Sequence, residues 1–225
     1  MRAVLLDAMG TLVTFRSPAP LLREQLRGRL GVDVGEAAAR EAIRAEVAYY
    51  RAHLHEGVDA PALAALRRRC AEAMRPALGL DADGAVLTDA LLAALRFEAY
   101  PDVAPALRAL RAAGLRLVVV SNWDVSLHER LAETGLAELV DGAVASAPFG
   151  AAKPDPAIFL RGLELAGAAP VEAWHVGDQL GADVEGALGA GIRPVLISRP
   201  GPAEAPPGVP VIASLAELPP LAAYP

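Results

Sequence analysis

The side chains able to act together chemically are Asp7, Thr11, Ser121, Asn122, Lys153, Asp178 and Asp183. Asp7 ends the apolar run Val4-Leu5-Leu6, and Gly10-Thr11 follows, where the chain can turn sharply and offer a hydroxyl and an amide. A run too short for a helix and bounded by a carboxylate reads as a buried parallel strand with Asp7 at its C-terminal tip. Open α/β sheets bind their ligands at such tips. An aspartate placed there can be a nucleophile or a metal ligand, and it is equally a common turn residue.

Two further runs end in the same way. Leu115 to Val120 is apolar and β-branched and stops at Ser121-Asn122-Trp123-Asp124. A hydroxyl and an amide at that tip can hydrogen-bond an oxyanion beside Asp7, or cap the helix expected over Val125 to Glu133. Glu172 to Val176 places Asp178 at its tip, with Asp183 five residues on. Carboxylates facing Asp7 there make a hard-oxygen site suited to Mg²⁺, although an acid opening a helix can be a cap alone. Lys153 is the sole lysine among basic residues that are otherwise arginine, and Pro154-Asp155-Pro156 follows it. A compact ammonium just before a proline-fixed helix start is a point charge that arginine does not replace. His175, within the apolar strand, reads as a core residue.

These tips need a sheet and helices to hold them. Arg2 to Leu6, Leu115 to Val120, a strand within Leu139 to Ser146, Glu172 to Val176, and Arg193 to Ser198 read as five strands, the last closing the sheet. Ala8 to Phe15 reads as a loop. Ser17-Pro18-Ala19-Pro20 then changes the texture: Leu22, Leu26 and Leu30, next Ile43, Val47 and Tyr50, next Leu63, Leu66 and Cys70, next Leu87, Leu91 and Leu95 recur at helical spacing. Gly31, Gly57, Pro61, Pro76, Gly79 and Gly84 divide that stretch into four or five helices. Val103 to Ala113 reads as a helix ending at Gly114. After the fifth strand come a Pro/Gly-rich run, Arg199 to Pro210, then Val211-Ile212 and a short helix over Ser214 to Leu218.

Composition narrows the function classes. With 225 residues, one α/β domain and a sizeable insertion fit. Hydrophobic residues are 54% and aromatics 4%, so the core is expected to be Leu, Val and Ala. A net charge of -6 argues against a nucleic-acid footprint. Cys70 is the only cysteine and reads as an inert thiol. No signal peptide and no apolar run of about 18 residues is evident, so no membrane partner and a cytoplasmic location are expected.

The four blocks Asp7-Ala8-Met9-Gly10-Thr11, Ser121-Asn122, Lys153-Pro154-Asp155, and Gly177-Asp178 with Asp183 resemble the motifs of the haloacid dehalogenase superfamily. The resemblance implies a three-layer Rossmann-like α/β core with a parallel sheet over 1–15 and 96–225, and an inserted all-helical cap domain over 16–95. It implies a hydrolase in which Asp7 takes a phosphoryl group as an aspartyl ester. Thr11, Gly10, Ser121 and Asn122 would hold that group, and Lys153 would neutralise it. Mg²⁺ would be held by Asp7, the Met9 carbonyl, Asp178 and Asp183, the last as a ligand or as the partner of Lys153. The cap would close over the site and select a small phosphorylated substrate. The protein would be a monomer or homodimer, an Ala/Leu-rich cap being able to expose apolar area.

One position departs from that pattern. The family's phosphatases carry a second Asp two residues after the nucleophile as general acid and base; here it is Met9. Losing such a group costs about 10² to 10⁴ in rate. An acyl phosphate or phosphoanhydride, whose leaving group needs no proton, would suffer less than an alkyl monoester. Asp124 is the one nearby substitute acid. The 2-haloacid dehalogenases also have a bulky residue at that place, need no metal, and bind a substrate carboxylate with arginine, for which Arg16, Arg23 and Arg40 are candidates. Phosphonatases need a cap lysine, which this chain lacks, and the membrane segments of the phosphoryl-transfer pumps are absent. A weak phosphate- or partner-binding protein is the remaining alternative.

Overall fold

The computed structural model describes residues 1–199, 201 and 203–222. Pro200 and Pro202, in the Pro/Gly-rich run, lie outside the described residues. The chain forms two compact units, one of Met1–Thr14 with Ala99–Pro225 and one of Phe15–Glu98.

Strand β1 (Ala3–Leu6) is buried at all of its positions. Residues Ala8 to Phe15, expected to be loop, instead end in β2 (Val13–Phe15), which shares a two-stranded ribbon with β3 (Phe97–Ala99). The ladder partner comes from the far side of the helical insertion, so no local pattern announces it.

The Phe15–Glu98 unit holds α1 (Pro18–Leu30), α2 (Glu36–His53), α3 (Ala60–Leu78) and α4 (Gly84–Ala94). Asp59 and Asp83 cap the last two by accepting the amides of Ala62 (2.8 Å) and Ala85 (2.6 Å), satisfying donors that a helix start leaves free. Pro76 does not divide a helix: it lies inside α3, near its end. There it removes one backbone bond, while Met74 and Leu78 on either side are buried. The buried face of α2 is also rotated from the expected one. Ala39, Ala42, Ile43 and Glu46 are buried, whereas Val47 and Tyr50 are half-buried. Small alanines let α2 lie close against α3, its main neighbour, and Glu46 goes in with them.

The other unit continues with α5 (Val103–Ala112), β4 (Arg116–Ser121), α6 (Leu127–Glu133), β5 (Gly142–Ala145), α7 (Ser146–Phe149) and α8 (Pro156–Ala166). Then come β6 (Ala173–Gly177), a π-helical turn over Leu180–Glu185, α9 (Gly186–Gly189), β7 (Arg193–Ile197), β8 (Val211–Ile212) and α10 (Leu218–Ala222). The sheet order is β5-β4-β1-β6-β7-β8, with every neighbouring pair parallel. The expected fifth strand therefore does not close the sheet: β8 pairs with it, Ile197 opposite Ile212. Two residues of strand carry too little pattern to be read as one.

Successive side chains on a strand face opposite sides. Ala3, Leu5, Val118 and Val120 pack against Ile158, Phe159 and Leu163 of α8. Val4, Leu6, Leu117 and Val119 are buried on the other face, where α5 packs on β4. Each fully buried Leu or Val contributes about 1.5–3 kcal/mol. That double burial fixes β1 between β4 and β6, with Leu6 opposite both Val119 and Val176. Three strand tips therefore end side by side.

Candidate active site

Asp7 follows β1, and its amide donates to the Val176 carbonyl at 2.9 Å, which ties the tips of β1 and β6 together. The residue is 5% exposed. Oδ1 accepts from Ser121 Oγ, at the tip of β4, at 3.0 Å and from Lys153 Nζ at 2.6 Å. Among the described residues no hydrogen bond reaches Oδ2. Lys153 Nζ also donates to Asp183 Oδ1 at 2.6 Å. Asn122 holds the lysine loop at both ends of its amide: Nδ2 donates to the Lys153 carbonyl at 2.9 Å, and Oδ1 accepts the Lys153 amide at 2.8 Å. The next helix, α8, starts on Asp155, whose side chain accepts the Ala157 amide at 2.9 Å.

Asp183 lies in the π-helical turn and makes three hydrogen bonds. Oδ1 accepts from Lys153 and lies 2.9 Å from His175 Nε2, and Oδ2 accepts the Gln179 amide at 3.0 Å. Its position against the end of β6 needs Gly177, since a Cβ there would stand 2.1 Å from the Asp183 carboxyl carbon. Gly10 has a φ of 80°, which suits glycine, and a Cβ there would displace the exposed Asp178 carboxylate, 2.3 Å away. Asp178 is exposed, and carboxylate oxygens of Asp7, Asp178 and Asp183 lie within 4.8 Å of one another.

Burial and the neighbouring charges together set the titration of this cluster. Burial pushes the Asp7 carboxyl up, and Asp183 adds to that against the pull of Lys153. Partial desolvation, then the charges of Asp7 and Asp183, push Asp178 up to about 6. Burial opposes the Lys153 ammonium, but Asp7 and Asp183 outweigh it and hold its pKa above the ordinary value. Burial likewise opposes the Asp183 carboxylate, yet Lys153 and His175 hold it well below the usual range. Three carboxylates thus face one ammonium, and the surplus of negative charge suits a hard divalent cation.

Met9 is half-buried and bridges to Val13, while Gly10 donates its amide to the Val13 carbonyl at 2.9 Å. Thr11 is fully buried, and its hydroxyl has no hydrogen-bond partner among the described residues. The Thr11 carbonyl accepts from Arg199 Nη2 at 2.5 Å and Nε at 3.2 Å. Arg199 also pairs with Asp102 at 3.0 Å and stacks 3.7 Å over Tyr100. Asp124 accepts the Ser126 amide at 2.7 Å and so shapes the entry to α6. Arg16, Arg23 and Arg40 are engaged with Glu98, Asp33 and Glu36 respectively. His175, Arg199 and Asp102 belong to this scaffold and are absent from the sequence-derived site residues, whereas Gly177 stands there only as the residue before Asp178 in its motif. His175 carries the one available signal, a polar residue in the middle of an apolar strand that ends in a functional acid.

Comparison with known proteins follows the same outline. A model described as haloacid dehalogenase-like hydrolase matches residues 1–191. A phosphoserine phosphatase of Thermus thermophilus is 32% identical over 222 residues, covering 88% of this chain and 89% of that protein. Haloacid dehalogenase-like hydrolase domain-containing protein 3 of Bos taurus is 41% identical over 96 residues, 43% of this chain and 38% of that protein. That match therefore spans well under half of the curated relative. The crystal structure of a 2-haloacid dehalogenase from Pseudomonas syringae superposes with a TM-score of 0.67 at 27% identity, covering 99% of this chain and 98% of that one. Among the described residues, no helix is long and apolar enough to cross a membrane. The chain belongs to the haloacid dehalogenase-like hydrolases.

Proposed function

We propose that this hydrolase transfers a phosphoryl group from a small phosphorylated substrate to Asp7 and then to water, with Mg²⁺ as its cofactor. The observation that carries the proposal is the acidic cluster of Asp7, Asp178 and Asp183 around the single lysine. Asp7, Asp178 and the Met9 carbonyl are the groups to hold the cation; Asp183 already has its oxygens engaged by Lys153, His175 and Gln179. Bound there, Mg²⁺ supplies positive charge beside the transferring group.

Asp7 is ready to react because Ser121 and Lys153 anchor Oδ1 and leave Oδ2 free. Attack on phosphorus forms the Asp7–phosphate ester bond while the bond to the leaving oxygen breaks and its electron pair departs with it. Water then displaces Asp7 and releases inorganic phosphate. Lys153 neutralises charge throughout, and positioning with charge stabilisation supplies most of what such a transfer needs. Met9 cannot protonate the leaving oxygen, so acyl phosphates and aryl phosphates are the favoured substrates over alkyl monoesters. The cytoplasmic setting expected from the sequence belongs to the same proposal.

The experiment is turnover of acetyl phosphate, p-nitrophenyl phosphate, sugar phosphates and L-2-chloropropionate, with and without Mg²⁺, using Asp7→Asn as the blank. Mg²⁺-dependent phosphate release that favours the good leaving groups and disappears in the blank supports the proposal. Metal-independent chloride release overturns it in favour of dehalogenation, a second reading supported by the bulk of Met9 and by the dehalogenase structure to which the chain is similar.

A further inference from the structure

We infer that His175 is a positioning residue for the Asp7–Lys153 pair, acting through Asp183. The inference rests on the reading of Lys153 as the charge partner of Asp7. His175 is fully buried in β6, the strand next to β1, with Leu5 and Pro194 opposite it on either side. Its Nε2 lies 2.9 Å from Asp183 Oδ1, the same oxygen that takes Lys153 Nζ at 2.6 Å. The Phe159 and imidazole rings meet in a T-shaped contact, with centroids 4.9 Å apart at 87°. Nδ1 is buried with no hydrogen-bond partner among the described residues. The ionised Asp183 carboxylate has no proton to give, so Nε2, the ring nitrogen that faces it, is the one that carries a proton and donates.

That proton decides how Lys153 divides its ammonium. Oδ1 of Asp183 shares its lone pairs between a neutral donor and a charged one, which leaves Lys153 free to keep an equally short bond to Asp7. Without the imidazole proton, Oδ1 becomes a stronger, solely ionic acceptor and draws Nζ toward Asp183. Asp7 and the group it carries then lose neutralising charge. The chain His175, Asp183, Lys153, Asp7 is continuous in hydrogen bonds, and it starts from a rigid central strand of the sheet.

Lys153 is the only lysine in the chain, so protein labelled with ¹⁵Nζ-lysine gives one side-chain signal that reports this ammonium alone. The variants are His175→Gln, which keeps a donor, and His175→Phe, which keeps a ring without one. In His175→Phe the Nζ signal is expected to shift and its protons to exchange faster. Its kcat should fall about 10- to 100-fold with KM little changed, and His175→Gln should restore both readouts most of the way. Equal losses in the two variants, or a His175→Phe protein with wild-type signal and kcat, would overturn the inference in favour of simple core packing. If His175→Phe fails to fold, ¹⁵N-histidine spectra of the wild-type protein decide: a buried Nε2–H with a bare Nδ1 supports the inference, and a proton on Nδ1 sinks it. Absence of turnover on every phosphate ester, with the Nζ responses as described, rejects the phosphoryl-transfer reading and leaves the positioning chain standing.

Discussion

Glu46→Gln should stabilise the protein at neutral and alkaline pH, progressively less as pH falls from about 7, and leave it unchanged below 4.5. Glu46 is 4% exposed on the face of α2 that packs against α3, and its hydrogen-bond partner is the Cys70 thiol. Burial pushes its carboxyl up from 4.5 to about 7, with the thiol's hydrogen bond opposing. A folded state whose acid has the higher pKa binds more protons than the unfolded chain between these two values, so stability falls as pH rises through that window. Below it the acid is neutral in both states and costs nothing extra. Above it the full penalty stands: a rise of about 2.5 units, at 1.36 kcal/mol each, is about 3 kcal/mol. Glutamine keeps an acceptor for the thiol and has no proton to lose. Thermal melts of both proteins from about pH 4.5 to about pH 8 test this, and the Tm gap should open with pH to about 6–12 °C. A gap that stays flat across the range, or a variant less stable at the alkaline end, would refute the reasoning.

Three further substitutions address the core. Met9→Asp, if only the acid is missing, should raise the alkyl phosphomonoesterase rate by about 10² or more while acetyl phosphate hydrolysis changes little; comparing kcat for the two substrates checks it. Gly177→Ala drives a methyl into the Asp183 carboxyl, whose three hydrogen bonds leave it nowhere to go. It should cost about 1–3 kcal/mol by denaturant unfolding and most of the activity. Arg199→Lys loses the paired bonds to Asp102 and the stack on Tyr100, and should cost about 1–3 kcal/mol in the same measurement. Burial opposes the Asp102 carboxylate, but Ser214, Arg199 and Leu215 hold its pKa below 3.8. The stability this contributes is present above 3.8 and lost as pH falls through the folded value, so the variant should show a shallower acid limb.

What the sequence reveals and conceals follows from how far apart the interacting residues lie. Asp7, Ser121 and Asp178 each end an apolar run, and a parallel sheet carries such ends to one edge, so the family and the α/β class were readable from short stretches. Glu46 was not, because helical periodicity assigns a glutamate to the wet face; only the alanines beside it, which bring α2 against α3, turn it inward. β2 pairs with a strand from beyond the helical insertion and β8 is two residues long, and neither carries a pattern of its own. Asn122 was legible as a polar residue at a strand tip, yet its amide is committed to the Lys153 backbone, a partner set by the loop that precedes α8. His175 sits in an apolar strand and reads as core, which it is by burial. It meets Asp183 only because the chain after β6 winds as a π-helical turn and because Gly177 has no Cβ to hold the carboxylate off. The reacting groups are announced by residue type and place in the strand; the groups that fix their angles are set by contacts that only the folded chain brings about.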